Sequence, residues 1–566
     1  MPRGRRLGRR WIAAGALSIL GSLAARPRAL VAQSLDRPLH PLVALPLQDP
    51  AYEQLAGLER LGCRAARVSP YRPFTVAAIR RALDDASSEP SCASPLLDDL
   101  RSRFTPPPPP PLDTTLVAPD LRAAAIRPDT GTGLRLGAAA TVRATGLSKG
   151  DFRPRWRDVQ PTDEGDPPVA AILRGRATWD GGSRLVAVVE AYGQTHRRND
   201  PLVRVEQLRS TSGVVDFSEA YLAGRIGPLV ASFGRSREAW MGEGTESLLL
   251  SAHGPPLDRL QLALSTRHFE ARALYAGIND VVLTNDLDAI GADQEPQRFY
   301  RYLAGHALTW APVRAVELTI GETALLARGS RVPDVSFANP LMVYLVTQHD
   351  ESRTGAQLRD NLMAFGSVRL QSGRAMVTGD LLIDDLQLDA GDRALTPNQL
   401  GWSIRAAGGL PTTLPLAARA EYRRTSTFTY LRTSYEQVYQ QYDAPLGSEI
   451  GPDADLIRGS LELWLGGRAR VDVGAGTWRR GARRIDRRPA EGALQQGQTP
   501  FPSTTEARPA VQEAIQLEAG FQLLNVRLPV SFRVEAARIE NVNNAASAAA
   551  LYMRTQLIAT YAFRYP

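Results

Sequence analysis

The chain has 566 residues, 43% of them hydrophobic and 22% charged, which is too long for one small domain and too apolar for a disordered polypeptide. Its formal charge of +8 is concentrated at the start: seven arginines and no acid lie in residues 1–32, and without those seven the charge is +1. A near-neutral remainder gives no support to a phosphate-tracking face, so no nucleic-acid partner is expected.

Residues 1–10 are arginine-rich, Trp11 to Ala25 is an apolar run, and small residues follow at Ala24, Ala25, Ala32 and Ser34. Residues 1–32 are therefore read as a secretory signal, cleaved after Ala24, Ala32 or Ser34. Beyond it nothing approaches the roughly 18 to 20 apolar residues of a spanning helix. Even Leu341-Met-Val-Tyr-Leu-Val346 has only six. A membrane-spanning form would have to use strands. Export places Cys63 and Cys92 in an oxidising compartment, where they are disulfide candidates, two buried free thiols being the alternative. Two cysteines and six scattered histidines make no tetrahedral ligand spacing, so neither metal nor cofactor is expected.

A helical subdomain is predicted over residues 33–105. Asp49-Pro50 reads as an N-cap with proline at the first helical position, Tyr52, Leu55, Leu58 and Leu61 give one apolar face, and Gly62 ends the segment. Thr75 caps a second helix carrying Val76, Ile79 and Leu83. Ser94-Pro95 opens a third carrying Leu96, Leu97, Leu100 and Phe104. Three such short helices must pack on something larger to persist. Pro106 to Pro111 then form a stiff spacer, giving a linker over 106–112 and a second body over 113–566.

There the period changes to two. Leu173, Gly175, Ala177 and Trp179 alternate with Arg174, Arg176 and Thr178, and Asp180-Gly181-Gly182 turns the chain into a second strand from Arg184 to Tyr192. Val316, Leu318 and Ile320 alternate with Glu317 and Thr319. Leu461, Leu463 and Leu465 alternate with Glu462 and Trp464 before the Gly466-Gly467 turn. At the end of the chain Leu551, Met553, Leu557, Ala559, Tyr561, Phe563 and Tyr565 share a face opposite Tyr552, Arg554, Gln556, Thr560 and Arg564. A soluble sandwich also alternates. The apolar, aromatic closing strand instead points to an outer-membrane barrel, although Pro566 replaces the usual terminal aromatic. The fold class is thus mainly β: a transmembrane antiparallel β-barrel of about eighteen strands with a small N-terminal α-helical bundle. The 454 positions of residues 113–566 accommodate eighteen strands, and sixteen almost as well.

Several segments, in order, resemble the capsule assembly Wzi family. In the head these are Leu45-Pro-Leu-Gln-Asp-Pro-Ala-Tyr52, Leu55-Ala-Gly-Leu-Glu-Arg-Leu-Gly62 and Arg72-Pro-Phe-Thr75. Further on they are Glu219-Ala-Tyr221, Phe233-Gly-Arg235, Trp240-Met-Gly-Glu-Gly244, Ser247-Leu-Leu-Leu-Ser251, Asn339-Pro340, Asp360-Asn361 and Gly379-Asp-Leu-Leu-Ile-Asp-Asp-Leu386. The resemblance implies a barrel of about eighteen strands with its helical bundle on the periplasmic side, and a lectin-like role holding capsular polysaccharide at the cell surface.

The run richest in binding chemistry is Phe233-Gly-Arg-Ser-Arg237 with Trp240-Met-Gly-Glu-Gly244. Arg235 and Arg237 carry forked donors that suit the carboxylates of acidic sugars, Trp240 offers a face for a pyranose, and Glu243 lies beside them. The alternative is an inner constriction of arginines paired with acids. Arg174, Arg176, Arg468 and Arg470 read as solvated lumen lining. Asp384 and Asp385, with Asp380 and Asp389 nearby, point to opposite faces of a strand, so they cannot share a proton; pairing with arginine outweighs ion or glycan contact. Ser251 and His253, with Asn361 as an orienting amide, lack a nucleophile elbow, and no enzyme is expected.

Two functional readings follow. One is a surface lectin-like protein that anchors or assembles capsular or extracellular polysaccharide; the other is a porin or solute-selective channel. The expected partners are that polysaccharide, outer-membrane lipids and the barrel-insertion machinery, with the chain as a monomer in the outer membrane.

Overall fold

The computed structural model describes residues 39–563 except 105–132, 148–168, 196–212, 244–245, 253, 284–296, 333, 335, 345–359, 387–396, 433, 443, 486–499, 525 and 527. The signal segment, the polyproline linker, His253, Asp389 and the terminal residues Arg564, Tyr565 and Pro566 lie outside the described residues.

The head's three helices start where their caps place them. Helix α1 spans Pro50–Arg60, and the Asp49 carboxylate accepts the Ala51 N–H at 2.9 Å. Helix α2 spans Val76–Ser87 with Thr75 accepting the Ala78 N–H, and α3 spans Pro95–Phe104 with Ser94 accepting the Leu97 N–H. Gly62, just beyond α1, has φ 110°, a backbone shape that a side chain resists. Leu55, Leu58, Ile79, Leu83, Leu100 and Phe104 are buried. A disulfide joins Cys63, after α1, to Cys92, before α3. It closes a loop of 29 residues in sequence separation, worth roughly 3 to 4 kcal/mol of head stability in the chain-entropy treatment. The Cys63→Ser/Cys92→Ser protein should lose its head to protease at lower urea while the barrel stays folded. An unchanged urea midpoint for head cleavage would refute this.

Beyond the head the described residues form eighteen antiparallel strands. The first nine are β1 Gly133–Leu147, β2 Val169–Asp180, β3 Leu185–Thr195, β4 Gly213–Ile226, β5 Leu229–Ser236, β6 Leu257–Ser265, β7 Phe269–Gly277, β8 Gln297–Val313 and β9 Val316–Arg328. The rest are β10 Asp360–Ser372, β11 Ala375–Asp385, β12 Gln399–Gly409, β13 Leu416–Thr425, β14 Ala454–Leu465, β15 Ala469–Arg480, β16 Gln512–Leu523, β17 Val530–Glu540 and β18 Ala549–Phe563. A short piece, Val281–Leu283, extends the line of β7 along β8. The sheet closes where β1 pairs with β18, from Ala138 opposite Phe563 to Leu147 opposite Arg554. Closure removes both edges, so every strand finds its ladder partners without water.

The outer surface is apolar around the circumference. Leu136, Val215, Ile320, Ile457, Ile515 and Leu551 all stand exposed, Leu551 at 75%. On β18 Leu551, Met553, Leu557 and Tyr561 face out while Tyr552 is buried inside. No described helix is long and apolar enough to cross a membrane. Exposed apolar area costs about 25 cal/mol per Å² in water, and a second sheet that would cover it is absent among the described residues. Lipid covers it, and the sandwich alternative falls. The strands are membrane-spanning, and the barrel form places the chain in an outer membrane.

Short turns gather at the head's end of the barrel. His40 Nε2 bonds to the Gly182 carbonyl at 2.7 Å, and the Gln54 amide donates to that of Gly467 at 2.9 Å, both in turns between adjacent strands. Long connections lie at the other end. One of them folds back over the wall: Phe337 and Tyr344, after β9, bury the outward-facing Ala304, Ala324 and Leu326.

Candidate functional site

The lumen is divided. After β5 the chain leaves the wall and makes a hairpin of Ala239–Glu243 and Glu246–Leu250. The head supplies its third strand, Tyr71 pairing with Trp240 and Arg72 with Ala239. A second segment, residues 426–453 between β13 and β14, descends onto this hairpin. Together with inward residues of β8 to β11 (Leu303, Leu325, Met363, Phe365 and Leu382) they form one continuous apolar core. A packed core of this kind closes its half of the barrel.

Three buried polar side chains latch the descending segment to the wall. Arg301 on β8 donates to the carbonyls of Val438 and Gln440 at 2.7 and 2.8 Å, and Asn361 on β10 donates to that of Gln437 at 3.0 Å. Asp384 on β11 accepts from the Tyr430 N–H and from Arg432, both at 2.6 Å. Tyr430 holds φ 74° and passes its hydroxyl to the Leu248 carbonyl at 2.5 Å, tying segment to hairpin. A non-glycine residue in that conformation persists only when its surroundings fix it.

The candidate residues therefore divide in place and role. Asn361 and Asp384 come together as latches of one segment. Asp385 follows Asp384 across a register shift in the β11–β12 pairing. Trp240 is fully buried and meets Tyr71 edge-on at 5.5 Å, so its face turns into the core and not to a sugar in solvent. Arg235 grips Asp258 through two bonds at 2.7 and 2.8 Å and reaches Asp216 at 3.3 Å. Those acids place it in the arginine-with-acid arrangement. Arg237 is exposed, and Glu243 pairs in register with Glu246 at the hairpin's tip. Ser251 hydrogen-bonds the backbone of Ser247.

Arg176 departs from its solvated expectation. It is buried between Glu190 at 3.1 Å and Glu219 at 2.9 Å, and also donates to the Ala44 carbonyl of the head. Its neighbours on the next two strands are the reason: Glu190 stands opposite it in register on β3, Glu219 stands opposite Glu190 on β4, and the head's first loop meets Arg176 there.

The head's seat is built of such pairs. Arg60 meets Glu462 at 2.8 Å, Arg67 pairs with Glu317, Arg369 with Glu59, Arg470 with Glu53, and Arg468 with Asp99 at 2.9 Å. Gly57 lies flat on the Trp464 ring, where a methyl group would fall 2.5 Å from a ring carbon. Burial raises the Glu53 carboxyl, but Arg470, Arg60 and Arg419 outweigh it and hold it at about 2. A carboxylate depressed in the folded state stabilises docking fully above its ordinary value of 4.5, and that contribution fades as pH falls from 4.5 toward 2. Head release, followed by protease susceptibility, should therefore rise across that window. Glu53→Gln should flatten the pH dependence, and an unaltered profile would count against the assignment.

The other half of the lumen is wet. Inward positions of β13 to β18 alternate arginine with acid, as in Arg458 with Glu421 and Arg533 with Glu518. Arg533 faces inward yet keeps 55% of its side chain open to water. At the long-loop end this half is capped by Ile450, Leu456, Trp478, Ile539 and Tyr552.

A family model described as "Capsule assembly protein Wzi" matches residues 170–549. The chain belongs to the capsule assembly protein Wzi family. Its fold agrees: it is similar to the Wzi structure from Escherichia coli, with 13% identity, 91% of this chain and 99% of that one covered, and a TM-score of 0.55. The Escherichia coli protein is described as an outer membrane protein involved in group 1 capsule assembly and as a carbohydrate-binding β-barrel. More remote likenesses are to OccD3 and OprD of Pseudomonas aeruginosa, at 10% and 9% identity, 77% of this chain in each case, 93% and 97% of theirs, and TM-scores of 0.43 and 0.42. Among curated proteins no sequence matches. Within the Wzi family, the descending segment 426–453 is what sequence reasoning missed. Its signal was Tyr430, Tyr435, Tyr439 and Tyr442 in a long connection without strand alternation.

Proposed function

We propose that this Wzi-family barrel binds carbohydrate and holds capsular or extracellular polysaccharide at the outer face of the outer membrane. The observation that carries the reading is the family match across 170–549. A lumen filled in one half and capped in the other supports a holding role over a conducting one. Binding of this kind is non-catalytic, built from many weak polar and stacking contacts offered by the long connections. The signal at 1–32 delivers the chain to the periplasm, the barrel-insertion machinery seats it, and the head at 33–105 stays on the periplasmic side, the whole acting as a monomer.

The experiment is a gene deletion in a polymer-producing strain, followed by separate assay of cell-bound and released polysaccharide. Released polymer should rise while total synthesis holds. Unchanged cell-bound polymer in the deletion strain would remove the anchoring role, and absence of binding by purified protein to that polymer would remove the lectin-like one.

A further inference from the structure

The wet half of the lumen is blind at one end and open at the other. Its apolar cap lies at the long-loop end. At the head's end it widens into a cavity of about 810 Å³ between α1 and the wall where β1, β2, β17 and β18 meet. The side chains around that cavity include five arginines (72, 103, 143, 174 and 468) and three acids (49, 53 and 99). The acids are already engaged: Asp49 with Arg103, Asp99 with Arg468, and Glu53 with Arg470. Of the other three arginines, Arg72 lies over the rings of Tyr52 and Phe74, and Arg143 and Arg174 have no carboxylate partner among the described residues. Arg174, inward on β2, touches only the Thr141 hydroxyl at 3.4 Å. Arg143, inward on β1, has no polar partner among them. Thr141 lies two residues from Arg143 on the same face and also bonds the Thr560 hydroxyl across the β1–β18 seam. Both arginines thus line one open cavity together with that hydroxyl pair.

We propose that this cavity is an anion site, entered from the head's side of the barrel, that takes a carboxylate or phosphate group on Arg143 and Arg174. A guanidinium carries five donors in a planar fork matched to an oxyanion. Neither fork has an acid to offset its charge among the described residues, and a bound oxyanion would supply one by charge-assisted hydrogen bonds. Arg143 and Arg174 sit opposite Ala170 and Ala139, four positions apart along β1, which is roughly 13 Å at the backbone. An extended acidic molecule can therefore engage both, one group to each fork. The site does not depend on the outer-face reading: its cavity opens beside the head and reaches along β1 and β2 to Arg143 and Arg174 within the lumen, short of the apolar cap.

The test uses the full chain in a neutral detergent. Calorimetric titration with a glucuronate-containing tetrasaccharide, with inorganic phosphate and with maltotetraose should show binding of at least one anionic probe, weakened by added salt. The Arg143→Gln/Arg174→Gln protein should lose at least tenfold in affinity for that probe, while the Arg143→Lys/Arg174→Lys protein retains most of it. Tighter binding of the tetrasaccharide identifies a carboxylated glycan as the source, and binding of phosphate alone identifies a phosphate group. No binding of either anion, or equal binding by the Gln pair with its heat-sensitive gel mobility intact, overturns the proposal. Entry is tested with Ser531→Cys, whose residue lines the cavity. A membrane-impermeant sulfonated maleimide should label it after osmotic shock and leave it unlabelled on intact cells. Equal labelling of intact cells overturns the direction of entry, and outer-face polymer binding by the Gln pair should be unaltered in either case.

Discussion

Replacing Arg60 by methionine should loosen the head from the barrel by about 3 to 5 kcal/mol, the cost of leaving one member of a buried ion pair alone. Arg60 keeps only 2% of its side chain exposed and Glu462 only 4%. Glu462 also accepts from the Trp464 indole at 2.5 Å, and the Trp464 ring lies against Gly57 of α1. Without the guanidinium, the carboxylate remains inside with one neutral donor and drags the ring out of register with the helix. Limited proteolysis in graded urea should release the head at markedly lower concentration, with the barrel keeping its heat-sensitive mobility on gels. The Arg60→Met/Glu462→Gln protein should regain much of the loss, because the unpaired charge is gone. If the single variant releases its head at the same urea concentration as the parent, the ion pair does not hold the head.

The second large effect is expected at Asp384. Its carboxylate, fully shielded, binds both the Tyr430 N–H and Arg432, and so closes the segment 426–453 over the apolar half of the lumen. Asp384→Ala leaves the Tyr430 amide and the Arg432 head without that acceptor. A local loss of about 3 to 5 kcal/mol makes segment opening roughly two to nearly four orders of magnitude more frequent. Amide exchange across 426–453 should accelerate accordingly, while β14 to β18 remain protected. In planar bilayers the parent should show no steady current, and the variant should show intermittent openings. A steady current through the parent would restore the channel reading, and identical exchange in both proteins would deny Asp384 its latch.

Much of the architecture is legible along the chain because its causes are local. The three caps at Asp49, Thr75 and Ser94 start helices where a side-chain oxygen meets a free N–H. The Gly181-Gly182 and Gly466-Gly467 turns end strands where the backbone must reverse, with Gly182 and Gly466 at positive φ. Alternation in Leu173–Trp179 and in Leu551–Tyr561 separates an outer from an inner face, since successive side chains leave a strand on opposite sides. Sixteen strands fitted the length nearly as well as eighteen. Only the pairing of β1 with β18 counts them.

The site was legible in composition and not in position. Arg235, Asn361, Asp384 and Trp240 all carry polar or ring contacts, but Trp240 packs against Tyr71, which lies 169 positions earlier, and Asp384 holds Tyr430. Partners so far apart leave no spacing to read.

Which faces are greasy and where the helices start were written in the order of residues, because each depends on neighbours a few positions away; that lipid and not a second sheet covers the greasy face was settled by the closed barrel. That the lumen has a packed half and a wet half, that Arg176 is buried between two acids, and that Arg143 and Arg174 are left without one emerged only in three dimensions. Those outcomes depend on which strands become neighbours when the sheet closes, and closure is a property of the whole chain.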